Sequence, residues 1–146
     1  MKNTISLFLA IGAFSLNISA QTISKSDVPS SVKTTFSSKY SGITNEKWEK
    51  DDEGYVAKFK DGATMTCTVI DENGNWVKTK TQVETASLPK GVNDYLAKNY
   101  SGKKISRAWK VNHSSCTIGF DAEVNETILC FDSNGNYLKS EIKKHS

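Results

Sequence analysis

Asp71-Glu72-Asn73-Gly74-Asn75-Trp76 is followed, sixty-one positions on, by Asp132-Ser133-Asn134-Gly135-Asn136-Tyr137. Each copy spells a tight turn. In Asp-x-Asn-Gly-Asn the acidic side chain caps nearby backbone, and glycine supplies the left-handed residue that closes a type I turn between antiparallel strands. The same pentapeptide resembles the start of a calcium loop, but that loop needs further oxygen ligands and a bidentate glutamate at its end. Lysine-bearing strands follow both copies instead. A hairpin is therefore expected at each copy, and no metal site.

Working outward from these turns, the whole chain repeats. Pro29, Val32, Tyr40, Ser41 and Gly42 recur sixty positions later as Pro89, Val92, Tyr100, Ser101 and Gly102. After one inserted residue, Trp48 aligns with Trp109 and Phe59 with Phe120. Self-similarity of this kind decides the architecture before any local signal does. Each copy opens on a helix: proline suits the first helical position, where a missing N–H costs nothing. Val32, Phe36 and Tyr40, like Val92, Leu96 and Tyr100, form one apolar stripe at four-residue steps. Gly42 and Gly102 then provide the left-handed residue that commonly ends a helix. Four strands follow, near 43–50, 54–60, 64–71 and 75–83, and again near 104–111, 115–121, 126–132 and 136–143. The expectation is one domain over 21–146 made of two tandem α-β-β-β-β repeats, about 26–85 and 86–146.

Residues 1–20 read as a secretory signal. Met1-Lys2 is followed by the apolar run from Ile5 to Leu16, and Ile18-Ser19-Ala20 offers a small-residue cleavage site before Gln21. A membrane-spanning helix needs about 20 apolar residues, and Ser15, Asn17 and Ser19 interrupt this run first. No cysteine follows the run to accept a lipid. The expected product is periplasmic or secreted, with no membrane insertion. Loss of Lys2 takes the formal charge from +3 to +2, too near neutral to argue for nucleic acid or an anionic membrane. A hydrophobic content of 37% supports a packed core rather than disorder.

Chemistry-bearing residues are scarce. The chain has two histidines: His145 is penultimate, and His113 falls in a turn that aligns with Asp51-Asp52-Glu53-Gly54. No set of nucleophile, base and orienting group is in view. No paired Cys/His spacing suits zinc, and no glycine-rich loop suits phosphate. Asp51, Asp52, Glu53, Asp71, Glu72 and Asp132 cluster in turns, where solvated carboxylates are ordinary. No catalytic residue and no cofactor is assigned.

Three cysteines are an odd count for an exported chain. With a three-residue loop at 122–124, Cys116 faces Cys130, and a cross-strand disulfide is expected, leaving Cys67 as a small buried thiol. The same register places Cys116, Ile118, Phe120, Ile128, Cys130, Leu138 and Ile142 on the core face. Their counterparts are Tyr55, Ala57, Phe59, Cys67, Val69, Val77 and Val83. The opposite face then presents Ile70, Trp76, Leu129, Phe131 and Tyr137, with Thr66, Thr68 and Lys78 among them. Cross-strand packing beside each hairpin and a partner-binding surface both account for that second set. Trp48 and Trp109 fit either face, the Ile105-Arg107-Trp109-Val111 alternation favouring the core.

A duplicated unit of helix and four strands, with a tryptophan on the first strand and a Phe-Asp-x-Asn-Gly hairpin behind a signal peptide, resembles the PepSY-like family. These are exported proteins grouped with the β-lactamase inhibitory proteins. The resemblance implies a two-layer α+β fold, one antiparallel sheet with helices on one face and the other face open. It also implies that inhibitory relatives bind enzymes through that open face. No inhibitor contact residue transfers, because only scaffold positions match. The leading expectation is a non-enzymatic binding module, inhibitor-like in its sharper form, that offers Ile70, Trp76, Leu129, Phe131 and Tyr137 to a protein or peptide. A structural or stress-related envelope protein without a tight partner is the alternative, and an enzyme with an unrecognised site stands third.

Overall fold

Among the described residues nine strands run from Gln21 to Ile142, and each pairs antiparallel with the next in sequence. The computed structural model describes residues 20–115 and 117–143. The expected leader up to Ser19, Cys116 and His145 lie outside the described residues. The strands are β1 (Gln21–Ile23), β2 (Lys47–Lys50), β3 (Tyr55–Asp61), β4 (Thr64–Ile70), β5 (Trp76–Val83), β6 (Arg107–His113), β7 (Ile118–Val124), β8 (Thr127–Asp132) and β9 (Tyr137–Ile142). Their order in the sheet is their order in the chain. Helix α1 (Ser30–Lys39) precedes β2, and α2 (Lys90–Asn99) precedes β6. The two-layer α+β arrangement and the tandem repeat are as expected; β1, which pairs with β2, is an addition.

Helix starts fall one residue later than expected. Pro29 and Pro89 are the N-caps, in extended backbone with ψ of 148° and 146°, and Ser30 and Lys90 open the helices. Gly42 and Gly102 do take left-handed φ, 87° and 74°, in the turn just beyond each helix.

The two Asp-x-Asn-Gly-Asn turns are built alike. Asp71 Oδ1 accepts from the Asn73 and Asn75 amides at 2.9 and 2.8 Å, and its Oδ2 accepts from Asn75 Nδ2 at 3.0 Å. Asp132 repeats all three bonds with Asn134 and Asn136, each at 2.9 Å. Gly74 is needed twice over: its φ is 87°, and a Cβ there would meet the Ser31 backbone at 3.1 Å. The hairpin thus docks on the first turn of its own helix, and Thr35 Oγ1 donates to the Gly74 carbonyl at 2.6 Å.

Each helix covers its own four strands. Val32 and Phe36 pack on Trp48, Tyr55, Ala57, Phe59 and Ile70, with Phe36 edge-on to Trp48 and Phe59 at 5.2 and 5.4 Å. Val92 and Leu96 pack on Ala108, Ala122, Val124, Leu129 and Phe131. Both helices therefore lie on one face.

The register corrects the expected division of faces. Both inner hairpins close through two residues, Gly62-Ala63 and Asn125-Glu126, so Asp61 pairs with Thr64 and Val124 with Thr127. The first residue of each loop is left-handed, with φ of 62° at Gly62 and 54° at Asn125. A two-residue loop pairs odd positions with even ones, whereas the expected three-residue loop at 122–124 would pair like with like. One step of slip exchanges every side chain between faces. Tyr55, Ala57 and Phe59 keep their expected core positions, but their partners are Ile70, Thr68 and Thr66. Cys67, Val69, Ile128 and Cys130 turn to the helix-free side. Cys130 faces Asp121, not Cys116, and its thiol is free.

The same arithmetic separates the two tryptophans. Trp48 pairs with Ala57 beneath α1, while Trp109 pairs with Asp121 on the helix-free face. Ala108 takes the place under α2 that Trp48 takes under α1. The sequence alignment of Trp48 with Trp109 is one residue out of step with the strands.

Candidate partner-binding face

Ile70, Leu129 and Phe131 are the clearest departure from expectation. They are 0%, 0% and 1% exposed, sealed beneath the helices rather than offered to a partner. A bulge at Val69/Ile70 and another at Cys130/Phe131 turn Trp76 and Tyr137 onto the same helix-bearing side, opposite Ile70 and Phe131. Trp76 lies under the Lys39 ammonium, 4.3 Å from its ring, and donates from Nε1 to Thr79 Oγ1 at 2.9 Å. Tyr137 stacks on Tyr95 at 4.5 Å. These two rings flank the helices and do not form an open sheet face with the other three.

The face left open is the other one, and it is charged. Residues from β2 through β9 line a single trough of about 920 Å³, so the sheet curls away from its helices. Val56, Val69 and Trp109 form a buried floor, and Met65, Cys67 and Ile128 are half-buried beside it. Long lysine and arginine side chains line the trough beside this floor, their stems adding to its apolar surface.

Their charged heads are paired across strands. Lys58 reaches Glu49 at 2.7 Å, Lys78 reaches Glu53, and Lys80 reaches Asp121 at 2.5 Å. Arg107 Nε and Lys143 Nζ both approach Glu123 Oε2, at 3.2 and 2.9 Å, and Trp109 Nε1 donates to Glu123 Oε1 at 2.8 Å. Burial pushes the Glu123 carboxyl up, but Lys143, Trp109 and Arg107 together outweigh it and hold it below its ordinary 4.5. Among the described residues Lys47 and Lys60 make no ion pair, and they stand at the β2–β3 end of the trough.

Two thiols belong to this surface. Cys67 and Cys130 both face it, on β4 and β8. Four strand spacings of about 4.8 Å put them far beyond disulfide reach. Burial, and then Asp121, pushes the Cys130 thiol up to about 12. Burial also raises Cys67, against the pull of Lys58 and Lys80. A thiol so raised is a poor nucleophile at neutral pH. His113 lies opposite Lys78 at the end of β6. Among the described residues no three His, Cys, Asp or Glu side chains converge to hold a metal.

A period-two signal for this face is present in the sequence. Lys58-Phe59-Lys60, Lys78-Thr79-Lys80 and Asp121-Ala122-Glu123 each place charges on one side of a strand.

The depressed carboxylates make acid sensitivity testable. Asn75 and Asn136, by side chain and then backbone, hold Asp71 and Asp132 below their ordinary 3.8. With Glu123 they contribute stability that is present above the unfolded-state values and lost as pH falls through the lower folded-state values. The thermal midpoint should fall steadily once pH drops below about 4.5, and Glu123→Gln should flatten the upper part of that decline. An unchanged profile in the variant would show that Glu123 is not held as described.

The chain is thus a duplicated helix-on-sheet scaffold, with one face of the sheet sealed by the helices and the other open and charged. The chain belongs to the family described as "Putative beta-lactamase-inhibitor-like, PepSY-like", whose model matches residues 16–70 and 68–139. Solved structures share the fold. A BLIP-like protein from Bacteroides fragilis is 19% identical, with a TM-score of 0.61 over 81% of this chain and 88% of that one. A DUF2874 family protein from Bacteroides uniformis is 20% identical, with a TM-score of 0.68 over 78% and 88%. A chain from Bacteroides eggerthii, described among "putative periplasmic proteins", is 18% identical, with a TM-score of 0.70 over 80% and 90%. No curated protein matches the sequence.

Proposed function

We propose that this chain is an exported, non-enzymatic binding module whose helix-free trough receives a protein or peptide partner. The observation that carries the reading is the composition of that trough: a buried apolar floor under a rim of paired charges. Protein interfaces commonly combine an apolar centre with a polar rim. The opposite face is occupied by the two helices. An export role is supported by the leader-like residues 1–20 and by the periplasmic description of the Bacteroides eggerthii relative. An inhibitor-like action is the sharper form, supported by the BLIP-like relative. Interdigitated charges set partner choice and association rate more than raw affinity, so the complex should weaken with added salt.

Photo-crosslinking tests the face directly. A photoreactive side chain placed at Met65 or Ile128 should give a discrete cross-linked species with envelope extract, diminished by salt. The same group at Lys33 or Ser38, on α1, should not. Products from the helix positions alone would place the partner on the wrong side for this reading.

A further inference from the structure

We propose that β9 pairs with β9 of a second copy of this chain, joining two sheets edge to edge in an antiparallel homodimer. The two edges of the sheet differ. β1 is three residues long, whereas β9 has six residues, every one of them exposed. Its outer side meets no other strand among the described residues. Of the four large apolar side chains exposed in the described chain, three lie on this strand: Tyr137, Leu138 and Ile142 at 38%, 59% and 75%. An edge this long and apolar is a template for strand addition.

The occupant follows from the sequence of the strand. Leu138-Lys139-Ser140-Glu141-Ile142 is self-complementary when two copies run antiparallel about Ser140. Ser140 then faces Ser140 of the second copy, each Lys139 faces Glu141, and each Leu138 faces Ile142. Within one copy Lys139 and Glu141 already pair at 2.6 Å on the helix-free side, so two copies assemble four alternating charges. Lysine on an edge strand ordinarily deters pairing; here the opposing glutamate cancels the deterrent in this register alone.

Backbone direction agrees. The Lys143 amide donates inward to the Glu126 carbonyl at 2.7 Å. Alternation along the strand turns the amide and carbonyl groups of Ser140 and Ile142 outward. The Ser140 dyad is therefore a hydrogen-bonded pair, flanked by side-chain contacts between Ile142 and Leu138, the residue that the bulge at Cys130/Phe131 leaves without a partner on β8. Because one edge meets itself, the contact closes at two copies. Pairing β9 with β1 would instead propagate without end.

Sedimentation velocity of the chain from Gln21 onward, across a concentration series, tests this. The wild type should show a monomer–dimer equilibrium. Lys139→Glu and Glu141→Lys should each raise the dissociation constant more than about tenfold, since both set like charges opposite one another. Mixing these two variants should restore dimer, as heterodimer, and the double reversal should dimerise like the wild type. Ser140→Pro removes only an outward N–H, so it should leave the monomer folded by circular dichroism and abolish association. A wild type that stays monomeric at millimolar concentration, a dimer indifferent to the single reversals, or a mixture that stays monomeric would each overturn the proposal.

Discussion

Phe131→Ala is expected to lower the unfolding free energy by about 3–5 kcal/mol, the usual cost of truncating a sealed aromatic. Phe131 is 1% exposed beneath α2, edge-on to Tyr95 at 5.6 Å and to Tyr137 at 6.1 Å. Domains of this size are stable by about 5–15 kcal/mol in total, so the variant should sit near the edge of folding. Urea unfolding followed by tryptophan fluorescence reads the change. The experiment discriminates sharply between the two faces: the strand pattern alone put Phe131 on a solvent-facing contact surface, where truncation would leave folding intact. A midpoint close to wild type would mean that α2 does not cover this strand.

Asp121→Ala should be the second large effect, a loss of about 2–4 kcal/mol, because it strands Lys80 on the trough floor. Asp121 keeps only 8% of its side chain exposed and Lys80 keeps 24%, so the cost should fall short of that for a wholly sealed pair. Burial alone would lower the Lys80 pKa; Asp121 reverses that and lifts it above its ordinary 10.5. The pair need not be a net stabiliser over an apolar alternative. Replacing both partners, as Lys80→Met with Asp121→Leu, should recover most of the lost stability while removing charge from the face proposed to meet a partner. Equal instability in the double variant would show that the loss comes from packing rather than from an orphaned charge.

Much of the architecture is legible in the sequence. The doubled Asp-x-Asn-Gly-Asn turn, the four-residue apolar stripes of both helices and the repeat itself are local or periodic signals. They determined two helix-plus-strands units and an antiparallel sheet, and every expected strand has its counterpart near the expected positions. Local chemistry suffices there: a carboxylate capping two amides, and a glycine able to reach positive φ, act within five residues.

Which side of each strand faces the helices was not legible, and the reason is parity. Within one strand, alternation says which residues share a face. Between strands, the shared face depends on whether the connecting loop has an even or odd number of residues, and on bulges such as those at Val69/Ile70 and Cys130/Phe131. Asn125-Glu126 carries no strong turn signal, so the sequence does not distinguish its two-residue loop from a three-residue one. That single residue moved Phe131 into the core, left Cys130 facing Asp121 and brought the charged side of the sheet to the open face. Trp48 and Trp109, aligned in sequence, ended on opposite sides for the same reason. The sequence by itself determined the elements and their order. The tertiary structure decided the faces, because helix packing buries one parity as a unit and no local preference outweighs the removal of so much apolar surface from water.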